Sequence, residues 1–65
     1  MEWLKAIRTN ANLTQKDIST ETGISESYYC LIESGERKPS VIVAQAIANV
    51  LNFNWTKFYD DVQSA

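Results

Sequence analysis

A chain with a single cysteine, Cys30, and no histidine has neither an internal disulfide nor the usual zinc ligands with which small folds are stapled. It is also short, at 65 residues, and a domain of this size buries only about 60% of the surface that its unfolded chain exposes. Stability must then come from the close packing of regular elements. The length fits one domain, residues 1–65, with no internal repeat, low-complexity tract or linker.

The hydrophobic periodicity predicts an all-α fold of five helices. The first runs from about Glu2 to Ala11, where Leu4, Ile7 and Ala11 recur at three- and four-residue spacing. Asn10, Ala11 and Asn12 weaken it. Thr14 followed three residues later by Asp17 is a short-armed capping box, which starts a second helix over about Gln15 to Thr22. Gly23 ends that helix, because a residue without a side chain takes the left-handed turn at no steric cost. Ser25 is the next N-cap, and Glu26 to Ser34 form the third helix, with Tyr29, Ile32 and Glu33 on one side and Gly35 at its end. After Glu36-Arg37-Lys38 and Pro39, Ser40 caps a fourth helix, Val41 to Leu51, whose inward stripe is Ala44, Ile47, Ala48 and Leu51. A fifth, short helix begins near Asn54 and carries Trp55, Phe58, Tyr59 and Val62 on its apolar side. Trp3 is expected to pack with this tail.

Several function classes are disfavoured. The longest apolar stretch, Val41 to Leu51, is interrupted by Gln45 and Asn49 and is too short to span a bilayer. Met1-Glu2-Trp3 opens no basic-then-apolar leader, so a cytoplasmic protein is expected. Without histidine, and without a nucleophile and base at a plausible spacing, no enzyme is expected, nor any cofactor, metal or small-molecule substrate. Cys30 reads as a passive small residue, since no neighbour in sequence is basic enough to favour a thiolate.

Two short helices joined through a glycine turn describe a helix-turn-helix, whose second helix enters the DNA major groove. From Gln15 to Ser34 the chain resembles the helix-turn-helix unit of the Cro/XRE (lambda-repressor-like) family. Ile18, Ile24, Tyr29 and Ile32 stand at its apolar positions, Ser19 at its small one and Gly23 at its turn glycine, with Thr22 as a weaker apolar choice. Leu4-Lys5-Ala6-Ile7-Arg8, Leu13-Thr14-Gln15, Ile32-Glu33-Ser34-Gly35, Pro39-Ser40 and the Leu51 to Phe58 tail resemble further landmarks of that family.

The resemblance implies a lambda-repressor-like domain whose helices two and three bind double-stranded DNA. It implies base contacts from Glu26, Ser27, Cys30 and Leu31, and phosphate contacts from Gln15, Lys16, Ser25, Tyr28, Ser34, Arg37 and Lys38. Tyr28, adjacent to the inward Tyr29, is expected to be the exposed tyrosine. A carboxylate at Glu26 suits a cytosine amino group, and Leu31 suits a thymine methyl. Arg8 and Glu33 resemble a structural arginine–carboxylate pair that ties helix one to the recognition helix.

Two features keep a second reading open. The net charge is −2, unlike the basic footprint of most DNA binders. From Pro39 to Thr56 there is no ionisable side chain, so the outer face of helix four (Ile42, Val43, Gln45, Ala46 and Asn49) carries no charge. With the aromatic tail, this predicts a weak homodimer through Ile42, Ala46, Trp55, Phe58 and Tyr59. The expected function is that of a repressor or Cro-like regulator of phage or mobile-element type, nucleoid-associated when bound to a pseudo-palindromic operator. The alternative is a helix-turn-helix fold used to bind a protein.

Overall fold

The computed structural model describes residues 1–59. It contains four α-helices, α1 (Glu2–Asn10), α2 (Gln15–Thr22), α3 (Glu26–Ser34) and α4 (Val41–Leu51), followed by a 3-10 helix at Trp55–Tyr59. No strand occurs among the described residues.

Each helix boundary has a local cause. At the start of α2, Thr14 Oγ1 accepts from the Asp17 N–H at 3.0 Å while Asp17 Oδ2 accepts from the Thr14 N–H at 2.9 Å. Two backbone donors are thereby satisfied reciprocally. Ser25 Oγ accepts from the Tyr28 N–H at 3.1 Å to open α3, and Ser40 Oγ from the Val43 N–H at 3.3 Å to open α4. Gly23 (φ 78°) and Gly35 (φ 87°) close α2 and α3 in the left-handed region. The end of α4 is closed by a residue that periodicity does not mark, Asn52 at φ 63°. Asparagine is among the few non-glycine residues that visit this conformation routinely.

Leu4, Ile18, Tyr29, Ile32, Ala44, Ile47, Leu51 and Phe58 form one buried cluster. Burial of each leucine or isoleucine contributes about 1.5–3 kcal/mol. Within this arrangement α2 lies against both α3 and α4, α1 packs on α3, and the 3-10 helix packs on α4. The core thus buries one face of α2 and of α3, leaving Lys16 and Asp17 on the first and Glu26, Ser27 and Cys30 on the second exposed.

Three expectations need correction. α1 ends at Asn10, and its inward stripe continues from Leu4 to Arg8; Ala11 is exposed. The fifth element is a five-residue 3-10 helix, not an α-helix. Asn54 imposes the tight start: its Oδ1 accepts from the Thr56 N–H at 3.1 Å and its carbonyl from the Lys57 N–H at 3.0 Å. The expected continuation to Val62 lies outside the described residues. Finally, Phe58 is only 3% exposed and belongs to the core, so it is not available to a dimer interface. Trp3 meets its ring at 5.2 Å and that of Phe53 at 5.5 Å, both edge-on, and so fastens α1 to the segment from Phe53 to Phe58.

Candidate nucleic-acid interface

The outer face of α3 is short of regular neighbours because its inner face carries the large residues. Tyr29, Ile32 and Glu33 turn inward at three- and four-residue spacing, so Glu26, Ser27 and Cys30 are left exposed, with Leu31 half-buried beside them. These four line an open hollow of about 460 Å³ whose fifth wall is Gln15, the first residue of α2. The hollow gathers all four candidate base-contact residues and one candidate phosphate contact in one place.

Its chemistry is unusual for a surface that would meet DNA. No lysine or arginine lines it, one carboxylate does, and Leu31 and the Cys30 thiol add apolar surface. The remaining candidate phosphate contacts are dispersed. Arg37 and Lys38 are exposed in the turn after α3, with Lys38 Nζ 6.0 Å from the centre of the Tyr59 ring. Lys16 lines a different hollow, of about 390 Å³, with Leu13, Asp17, Thr20, Glu21 and Val50, where two carboxylates accompany it. Ser25 is engaged as the α3 cap, and the single proton of the Ser34 hydroxyl is shared between two acceptors, the Leu31 carbonyl at 3.0 Å and Glu36 Oε2 at 3.2 Å. Tyr28 departs from the expected exposure: it is half-buried, packed against the core cluster.

Behind the hollow stands a polar network. Arg8 Nε donates to Glu33 Oε2 at 2.8 Å and Arg8 Nη2 to Glu33 Oε1 at 3.1 Å, while Nη1 reaches the Leu13 carbonyl at 2.9 Å. The two-pronged ion pair is largely out of water, with side chains 11% and 7% exposed. Gln15 Nε2 donates to the same Glu33 Oε1 at 3.1 Å. The Tyr29 hydroxyl is buried beside the pair without a well-formed hydrogen bond of its own; burial pushes its ionisation far above the ordinary value, and the adjacent Glu33 charge adds to this. That Gln15 would join the network could not be read from the sequence. The two residues are eighteen positions apart, with no periodic relation to signal the contact.

Burial alone would raise the Glu33 carboxyl, but donation by Arg8 and Gln15, with the Arg8 charge, outweighs it and holds the group below its ordinary value of 4.5. A carboxyl depressed in the native state contributes stability that is present above its unfolded value and lost as the pH falls through the native one. Asp17, drawn below 3.8 by the Thr14 backbone and side-chain bonds of its capping box, acts in the same sense. Melting temperature should therefore hold steady near neutrality and decline progressively once the pH drops below 4.5. A Glu33→Gln variant should show a flatter acid limb in circular-dichroism melts. An unchanged limb would place the acid sensitivity elsewhere.

Among the described residues, no group of three or more His, Cys, Asp or Glu side chains is placed to hold a metal ion, and no helix is long and apolar enough to cross a membrane.

Comparison with known proteins points the same way as the geometry. A family model described as helix-turn-helix matches residues 4–58. The chain is 44% identical over 61 residues to an uncharacterized HTH-type transcriptional regulator, YqaF, of Bacillus subtilis (strain 168), covering 94% of this chain and 80% of that protein. No solved structure matched.

Proposed function

The chain belongs to the Cro/XRE-type helix-turn-helix family, whose members are DNA-binding regulators, and on that premise we propose that it is a repressor or Cro-like regulator reading a two-fold symmetric operator as a weak homodimer. One observation carries the reading. The hollow that collects Glu26, Ser27, Cys30 and Leu31 with Gln15 sits on the outer face of α3, the helix that such a fold presents to the major groove. Glu26 accepts from a cytosine amino group, Leu31 and Cys30 contact a thymine methyl, and Ser27 bonds whichever edge it meets. Gln15, Lys16, Ser25, Tyr28, Ser34, Arg37 and Lys38 are the proposed backbone contacts, with Arg37 and Lys38 supplying most of the charge.

Dimerisation is assigned to the outer face of α4. Ile42 is 78% exposed and Val41 half-exposed, with Ala46 beside them and no charge on the helix. Trp55 and Tyr59 are half-buried and edge-on at 6.0 Å, and the Tyr59 hydroxyl donates to the Pro39 carbonyl just before α4 at 2.9 Å. So small an interface gives weak association, with the dimer completed on DNA.

Selection of bound sequences from random duplexes tests both parts. A symmetric site with half-sites about 34 Å apart is expected. Ile42→Glu should keep half-site affinity but lose at least tenfold on the full site. Equal affinity per half-site on both DNAs, in the native chain, would remove the dimer. The net charge of −2 favours a second reading, a fold turned to protein binding; absence of any DNA binding at low salt would establish it over the first.

A further inference from the structure

The Gln15 amide does not rotate freely at the rim of the α3 hollow, because its Nε2 is bonded to Glu33 Oε1 at 3.1 Å. A carboxylate only accepts hydrogen bonds, so this contact determines which way round the amide lies. The nitrogen is turned toward Glu33, and its second N–H has no partner among the described residues. Glu33 is itself firmly fixed. It is buried and gripped at two points by Arg8, and Arg8 is anchored in turn on the Leu13 carbonyl.

We propose that Glu33 is a positioning residue for DNA-backbone binding, holding the Gln15 amide with one N–H presented to a single phosphate. The inference rests on the phosphate contact proposed for Gln15 and goes beyond it, since it gives the Arg8–Glu33 pair a role in recognition as well as in folding. A donor already locked in place loses less rotamer freedom on binding, which corresponds to roughly two- to tenfold in affinity. A glutamine at the same position without the carboxylate behind it would present oxygen or nitrogen indifferently, and an outward oxygen repels phosphate.

The test uses the full chain and a selected operator in which single phosphates are replaced, one at a time, by neutral methylphosphonates. Wild type should lose affinity at one phosphate per half-site through Gln15, and Gln15→Met, which has no donor, should lose that sensitivity there and at no other position. Glu33→Gln, checked for folding by circular dichroism, should lose sensitivity at the same phosphate alone, because an amide at that position donates as readily as it accepts and no longer dictates the orientation. A purely structural Glu33 would weaken all phosphate contacts together. If Gln15→Met removes the sensitivity and folded Glu33→Gln keeps it, positioning is wrong while the phosphate contact stands. If Gln15→Met changes no phosphate, the contact itself is wrong and the inference goes with it. Should Glu33→Gln not fold, side-chain relaxation of Gln15 in the native chain decides. An order parameter near that of rigid backbone, about 0.85, is expected, and one below about 0.6 overturns the proposal.

Discussion

Replacing Arg8 by alanine should destabilise the domain by about 3–5 kcal/mol, enough to unfold much of the population at ambient temperature. The size follows from burial. An exposed ion pair contributes about 0.2–1 kcal/mol, whereas here the Glu33 carboxylate, 7% exposed, would be left in the interior with only Gln15 as donor. The Leu13 carbonyl would lose its donor as well. A domain of this length has a total stability of only roughly 3–10 kcal/mol, by the usual 0.05–0.15 kcal/mol per residue. Urea denaturation of Arg8→Ala, Glu33→Ala and the double variant provides the check. The double variant should cost far less than the two single losses added together, since each single change strands the partner. A cost under 1 kcal/mol for Arg8→Ala, or full additivity, would mean that the pair does not act as a unit.

DNA affinity should fall with salt much less steeply than in a basic regulator. Each phosphate neutralised by a cation contributes a slope of about 0.9 in log affinity against log salt, and the proposed backbone contacts include only three cations, Lys16, Arg37 and Lys38. A fourfold rise in salt should weaken binding by roughly 40-fold, against about 10³–10⁵ for proteins making six to ten such contacts. Neutral donors such as Gln15 release no counterion and leave the slope unchanged. The same electrostatics make Glu26 both a cost and a discriminator, because its carboxylate lines the hollow with no cation beside it. Glu26→Gln should tighten binding to scrambled duplex severalfold and relax the preference for cytosine at its position by about tenfold, near 1.4 kcal/mol. Salt series on operator and scrambled DNA measure both. A slope matching six or more phosphates would show that cations outside the proposed set carry the binding, and an unchanged base preference would detach Glu26 from readout.

The helix-turn-helix is legible in the amino-acid order because the signals that delimit it are local. Thr14 with Asp17, Ser25 with the Tyr28 amide and Ser40 with the Val43 amide each act across three residues, and Gly23 and Gly35 act at one. Side chains at helical spacing then sort themselves: Tyr29, Ile32 and Glu33 inward, Glu26, Ser27 and Cys30 outward. Where a side chain has to choose between two plausible neighbours, spacing decides less. Tyr28 stands four positions after Ile24, which is also half-buried, and both pack against the core cluster. Phe58 is spaced as if available to a partner chain, yet Trp3 and Phe53 from other parts of the chain close over it.

The sequence by itself determined the four α-helices, the turn between the second and third, and the outward placement of Glu26, Ser27 and Cys30 on α3, since these depend on backbone capping and on a 3.6-residue period that operate within one or two turns. Tertiary structure alone decided that Phe58 is core, that Tyr28 packs against the core cluster, and that Gln15 is bonded to Glu33 across eighteen residues. A carboxylate buried between helices takes its donors from whatever the packing brings within about 3 Å, and no local spacing encodes which side chains those will be.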